Sequence, residues 1–194
     1  MSKRYGLVID LERCIGCHTC TIACKVENGI EEGSWMEVRT IGGAGMDTAG
    51  GEFPDLTMYY EPKPCMHCDE PPCIDACSPG ALYKRDDGIV LVDTDKCDGC
   101  QMCLSVCPYG VLHFDAAKNV IGKCTFCAGR IDQGLDPFCV ICCQGEAMFF
   151  GDLADPESEV SRLAASRDAY VLLPGAETGP AVRYLPPMKP RGLP

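Results

Sequence analysis

The 194-residue chain lacks any apolar run near the roughly 18 residues needed to span a bilayer. It also lacks an apolar N-terminal stretch followed by a small-residue cleavage site. Met1-Ser2-Lys3-Arg4-Tyr5 leads straight into the strand-like Gly6-Leu7-Val8-Ile9-Asp10, so no secretory signal is visible. The expectation is a chain that is soluble, or peripheral through a partner. An excess of positive charge is missing as well. Seventeen Lys and Arg face 28 Asp and Glu, a formal charge of −11, and a nucleic-acid partner needs a basic face. No phosphate-binding loop, dinucleotide fingerprint or nucleophile–base motif appears. Nothing in the sequence supplies substrate chemistry of its own.

What the chain has is cysteine, 17 residues of it. Such density marks a disulfide scaffold or a metal protein, and disulfide scaffolds are usually shorter secreted chains. The cysteines fall into four groups. The first is Cys14-x2-Cys17-x2-Cys20-x3-Cys24 and the second Cys65-x2-Cys68-x4-Cys73-x3-Cys77. The third is Cys97-x2-Cys100-x2-Cys103-x3-Cys107-Pro108, and the fourth Cys124-x2-Cys127-x11-Cys139-x3-Cys143, with Cys142 left over. Groups one and three form an internal repeat. Asp10 and Asp93 each stand four residues before the first cysteine, and the cysteine spacings after them are identical. Each unit reads as a short strand, a cluster loop, and a helix that starts at the fourth cysteine.

A cubane of iron and sulfide needs four thiolates at its corners, and a Cys-x2-Cys-x2-Cys loop wraps three of them. The run C-x2-C-x2-C-x3-C-P is that of bacterial two-cluster ferredoxins, whose fourth cysteine ligates the other cluster of the pair. Group three matches it in full, and group one matches apart from Lys25 in place of proline. Zinc ribbons use two C-x2-C pairs rather than these longer runs. Cys14-Ile15-Gly16-Cys17-His18 has the haem c attachment pattern, but the run continues into Cys20 and Cys24, so a haem would strip a cluster. Four cubanes would add about −8 to the charge, and buried anions need backbone N–H groups around them, which accounts for glycines near the cysteines. In group four the x3 spacing selects Cys143 as ligand and leaves Cys142 a free thiol; the alternative, Cys142 as ligand, stays open on spacing alone.

His18 and His67 lie inside cluster loops, as outer hydrogen-bond donors or solvent-exposed residues rather than ligands; His113 reads as structural. Lys25, Lys123 and Arg130 stand near cysteines in sequence. They raise local potentials, pair with a partner, or are plain solvated charge. The stretch from Gly42 to Gly51 is glycine-rich and reads as an exposed loop, followed by a strand over Leu56–Tyr60. Ser158 to Arg167 reads as a short amphipathic helix. The tail from Pro174 to Pro194 is proline-rich, with one strand-like piece at Ala181–Leu185.

The four groups, in this order and at these spacings, resemble the iron–sulfur electron-transfer subunits of the dimethyl sulfoxide reductase family of molybdopterin oxidoreductases. Members of that family serve polysulfide, thiosulfate, tetrathionate and arsenate reductases, and the small subunit of pyrogallol–phloroglucinol transhydroxylase is a cousin. The resemblance covers residues 5 to about 185. Its most telling stretches are Pro64 to Cys73, Lys123 to Ala128, and Gly151 to Val160. It implies an α+β fold of two nested two-cluster ferredoxin units with an inserted loop region and an extended C-terminal tail. Residues 1–60 would form the first half of the outer unit plus the insertion, 61–115 the inner unit, 116–150 the second half of the outer unit, and 151–194 the helix and tail. It implies four 4Fe–4S clusters: one on Cys14, Cys17, Cys20 and Cys143; a second on Cys24, Cys124, Cys127 and Cys139; a third on Cys65, Cys68, Cys73 and Cys107; a fourth on Cys77, Cys97, Cys100 and Cys103.

The partner so implied is a large catalytic subunit with a molybdenum or tungsten pterin, joined by a membrane anchor subunit or a soluble electron carrier, and no nucleic acid. This chain would be non-catalytic, and either cytoplasmic or exported folded with a signal-bearing partner. Alternatives are a free-standing polyferredoxin shuttle, or the iron–sulfur subunit of a formate dehydrogenase or hydrogenase complex. The family usually carries Cys-Pro at the last cysteine of groups two and four. Here Cys77 precedes Ser78-Pro79 and Cys143 precedes Gln144-Gly145, which singles out those two turns.

Overall fold

The N-terminal apolar run becomes β1 (Tyr5–Asp10), with Leu7, Val8 and Ile9 at most 2% exposed. A backbone buried this deeply needs hydrogen-bond partners along both edges of its strand, and β1 has them. On one side β8 (Met148–Asp152) pairs antiparallel, from Tyr5 opposite Asp152 to Ile9 opposite Met148. On the other, β9 (Val182–Leu185) pairs parallel, from Leu7 opposite Val182 to Asp10 opposite Leu185. The chain is described here by a computed structural model over residues 3–166 and 168–187. It is a small α+β protein whose other strands form two-stranded ribbons. These ribbons are β2 (Glu37–Ile41) with β3 (Tyr59–Lys63), β4 (Leu82–Lys84) with β5 (Val90–Val92), and β6 (His113–Asp115) with β7 (Val120–Gly122).

The helices are short, and most carry cysteines. They are α1 (Thr19–Asn28), α2 (Pro72–Asp75), α3 (Met102–Val106), α4 (Ala128–Ile131), α5 (Phe138–Ile141) and α6 (Glu159–Ala164). The repeat is visible in the backbone. Asp10 and Asp93 each accept from the N–H two residues on, Glu12 at 3.0 Å and Asp95 at 3.1 Å, an Asx turn that swings the chain out of the strand into the loop. Gly16 and Gly99 then take positive φ (67° and 72°), and His18 and Gln101 are left-handed (58° and 59°) just before the helix.

The helix of each repeat unit does not start at the fourth cysteine. It starts one residue before the third, at Thr19 and Met102. The left-handed residue at His18 or Gln101 ends the loop, so Cys20 and Cys24, or Cys103 and Cys107, stand one helical turn apart. The residue after the fourth cysteine sets the helix length. Pro108 forces Cys107 into extended backbone (ψ 112°) and stops α3. Lys25 allows α1 to run on to Asn28, where left-handed Gly29 closes it by donating to the Lys25 carbonyl.

Three other readings shift. The predicted strand at Leu56–Tyr60 forms at Tyr59–Lys63, where Glu37–Ile41 supplies an edge; Leu56 and Met58 stay exposed beside the glycine-rich loop, which is itself exposed. The helix after the last cysteine ends at Ala164, with Ser158 capping the N–H of Ser161; Arg167 lies outside the described residues. The tail is not an extended appendage as far as Pro187. Its strand is an interior edge of the main sheet, Tyr184 is fully buried, and the Tyr184 hydroxyl donates to the Pro62 carbonyl at 2.9 Å. The N–H of Ala181 reaches the Met66 carbonyl and that of Asp69 the Gly179 carbonyl, so the tail clamps the loop of the second cysteine group. Residues 188–194 lie outside the described residues.

Candidate metal centres

None of the 17 cysteines is in a disulfide. Sixteen of them line four cavities, four to each. Cys14, Cys17, Cys20 and Cys143 line the first, with Val38 and Pro62 from the β2–β3 ribbon beside them. Cys24, Cys124, Cys127 and Cys139 line the second, against Leu7 and Met36. Cys65, Cys68, Cys73 and Cys107 line the third, with Val90 and Leu112. Cys77, Cys97, Cys100 and Cys103 line the fourth, with Leu82, Val92 and Ile121. Each encloses about 300 to 380 Å³ including its mouth. Cys142 lines none of these four. It is the C-cap of α5, its N–H bonded to the Phe138 carbonyl, and Cys143 reaches the first cavity instead.

The donor chemistry tells what fits. A single zinc ion would draw four sulfurs to about 2.3 Å of one point. Among the described residues no three His, Cys, Asp or Glu are gathered closely enough to hold a single ion; the thiols instead stand around an open space, as the corners of a polynuclear cluster require. Backbone N–H groups already point at several sulfurs. Ala81 and Leu82 donate to Cys77 Sγ (3.2 and 3.4 Å), Ile121 to Cys97 Sγ (3.4 Å), Phe126 to Cys124 Sγ (3.5 Å), and Ala147 to Cys143 Sγ (3.2 Å). Burial pushes the thiols of Cys20, Cys24 and Cys73 up to about 12 and those of Cys68 and Cys103 up to about 11. Metal would have to displace those protons and would supply the charge that keeps the thiolates buried.

The two turns without Cys-Pro close as the standard one does. Gly80, Gly110 and Glu146 each donate to the carbonyl three residues back, at Cys77, Cys107 and Cys143, and all three have positive φ (66°, 61° and 47°). Backbone geometry replaces the missing proline. A Cβ on the neighbouring Gly145 would lie 2.3 Å from the Arg13 carbonyl oxygen, so only glycine lets this turn pass the first cluster loop.

These features match known proteins. A 4Fe–4S dicluster domain family covers residues 56–153, and a 4Fe–4S binding domain family covers residues 5–26. A sulfite dehydrogenase subunit of Allochromatium vinosum is 42% identical over 96% of this chain and 84% of its own length. A protein named as a candidate dimethyl sulfoxide reductase iron–sulfur subunit, from Halobacterium salinarum, is 42% identical over 93% of this chain and 78% of its own. The arsenate respiratory reductase iron–sulfur subunit of a Shewanella species is 36% identical over 94% and 96%. The chain belongs to the iron–sulfur subunits of the dimethyl sulfoxide reductase family. It is an electron-transfer subunit that binds 4Fe–4S clusters, and it does not itself catalyse a substrate reaction.

The charged and aromatic residues of this iron–sulfur subunit sort by burial. Lys25 lies at the surface on the Glu31 and Gly33 carbonyls, and Arg130 pairs with Glu27. His18 is exposed at the mouth of the first cavity. His67 and Lys123 are fully buried. His67 Nδ1 accepts the Val90 N–H at 3.0 Å, and its ring stacks on Phe126 with centroids 3.7 Å apart. Burial, then the Lys123 and Arg4 charges, hold its pKa well below the usual histidine value, so it is neutral. The sequence marks His67 and Lys123 by adjacency to cysteines; nothing local marks them as neighbours or as buried. No helix among the described residues is long and apolar enough to cross a membrane.

Proposed function

We propose that each cavity holds one 4Fe–4S cluster through its four cysteines, and that the four form one row within two nested ferredoxin units. The four-by-four partition of 16 cysteines around four cavities carries this reading. When bound, each cubane takes up and gives back one electron with no bond made or broken.

The chain's own residues order the row. α1 carries Cys20 to the first cavity and Cys24 to the second and packs against α5, which brings Cys139 and leads into Cys143. α2 and α3 pack together in the same way around the third and fourth, with Cys73 and Cys107 on one side and Cys77 and Cys103 on the other. The second and third meet where Cys65 lies near enough to Cys124 to raise its thiol pKa, after burial and Cys24. Exposure runs in the same order. In the first and fourth quartets only Cys20 and Cys103 are buried, and Cys17 and Cys100 are exposed; the second and third each have three buried cysteines. Electrons therefore enter and leave at the two ends, and the middle is insulated from water.

One end meets a large catalytic subunit with a molybdenum or tungsten pterin, and the other a membrane anchor or a soluble carrier. Names among the relatives include both a dehydrogenase and a respiratory reductase, in keeping with a scaffold that serves either direction of flow. The test is anaerobic isolation from the native cells with mass spectrometry of co-purifying chains and assay for molybdenum and tungsten. A large metal-bearing partner is expected, and the chain separated from it is expected to exchange electrons with dyes and turn over no substrate. A chain that leaves the cells alone with its clusters would instead be a shuttle.

Gly145 gives a local test. Gly145→Ala is expected to displace Cys143 and cost the first cluster, about a quarter of the iron. Gly129→Ala, in α4 with open space around the Cβ, is expected to keep all of it. Equal iron in both variants, measured colorimetrically, would remove Cys143 from the ligand set.

A further inference from the structure

Lys123 is 1% exposed, and among the described residues no carboxylate forms an ion pair with it. Its Nζ donates instead to two carbonyls, those of Val90 and Cys124, the latter at 3.0 Å. Cys124 is on the wall of the second cavity and Val90 on the wall of the third. The ammonium thus stands in the partition between the two interior quartets, near enough to the buried His67 to act on its charge. A buried cation is costly unless an anion lies near. Thiolate-ligated clusters on either side are the anions available to it. Its field already favours the thiolate at Cys73 on one side and at Cys124 on the other.

Burial also works against reduction of the interior clusters, because the reduced state carries one more negative charge into a poorly polarisable setting. We infer that Lys123 is a potential-setting residue shared by the second and third clusters: its ammonium stabilises the added electron on both and offsets the penalty their burial imposes. Lys25 lies at the surface, where water screens it, and Arg130, whose charge also favours the Cys127 thiolate, is offset by its partner Glu27 and reaches the second quartet alone. Lys123 acts through its fixed charge and touches no reacting atom.

This inference rests on the four-cluster reading, and the test separates the two. The intact complex is titrated with mediators and followed by electron paramagnetic resonance, each signal assigned from a single Cys→Ser substitution in its quartet. Fewer than four cubane signals in the wild type would sink the reading itself. With four present, Lys123→Met and Lys123→Gln are expected to lower the midpoints of the second and third clusters and leave the first and fourth in place. The expected size is about tenfold in the oxidised-to-reduced ratio at fixed potential, or about 59 mV for a one-electron couple, as for a unit charge about 10 Å away in an effective dielectric of about 20. Lys123→Arg is expected to hold both midpoints near wild type. Unshifted midpoints in a loaded neutral variant would overturn the inference, as would equal shifts at all four clusters, or an arginine variant that falls as far as glutamine. Loss of the second and third clusters from both neutral variants would also overturn it, since Lys123 would then serve assembly rather than potential.

Discussion

Cys107→Ser is expected to remove the third cluster and to spare the fourth, although Cys107 closes the run that begins with Cys97, Cys100 and Cys103. The reason is the length of α3. Cys103 sits near its start and reaches the fourth cavity; one turn on, Cys107 caps its end and reaches the third, beside Pro108 and Tyr109. A serine oxygen is a harder donor than a thiolate and holds such a cluster poorly. Iron is expected to fall from about sixteen to about twelve per chain, with one paramagnetic signal lost and three kept. Because the third site is interior to the row, dye-linked electron transfer through the whole complex is expected to drop to background. Loss of the fourth cluster's signal instead would refute crossed ligation.

Stripping the iron is expected to unfold most of the chain. Four of the six helices have four or five residues, and the β4–β5 and β6–β7 ribbons have three-residue strands, all below the lengths that hold up alone in water. The main core counts Cys20, Cys24, Cys65, Cys68, Cys124 and Cys139 among its buried residues, so the clusters are the cross-links between elements too short to bury much surface by themselves. Anaerobic removal of the iron with a chelator, the thiols kept reduced, is expected to abolish most far-ultraviolet circular dichroism and to open the chain to protease. The sign of the pH effect on whatever remains is set by the thiols. The buried thiols of Cys20, Cys24 and Cys73 titrate at about 12 when folded, against 9.0 for an unperturbed thiol. They ionise more readily in the unfolded chain, so residual structure present below about pH 9 is expected to be lost as pH rises through about 12. A stripped chain with native dichroism and protease resistance would show that the polypeptide folds without its clusters.

What could be read from the sequence was what is local in it. Cys-x2-Cys-x2-Cys is a loop that wraps one object, so the kind of metal centre can be inferred from spacing. The N-terminal strand came from a pattern a few residues long, and the class of fold from the resemblance that the four cysteine groups carry. Non-local features escaped. The strand in the tail was legible, but whether the tail packs or stays extended was not, because the edge that accepts Val182–Leu185 is β1, at the other end of the chain. The helix start was misplaced because it depends on His18 and Gln101 adopting left-handed backbone, a conformation that glutamine does not announce and histidine favours only weakly. Leu56 and Met58 have strand-forming character, but the segment pairs only through a single bridge from Thr57 to Gly50. Lys123 and His67 look alike in sequence to Lys25 and His18; only the contacts with Val90, 33 and 23 residues away, make the first pair buried.

The most direct measurement is a Mössbauer spectrum of the iron-57-enriched protein, isolated anaerobically, together with iron and acid-labile sulfide per chain. Four cubanes predict about sixteen of each, with all the iron in the doublets of 4Fe–4S centres. About twelve irons, or a substantial share in mononuclear or two-iron sites, would contradict the assignment of four cysteines to each of the four cavities.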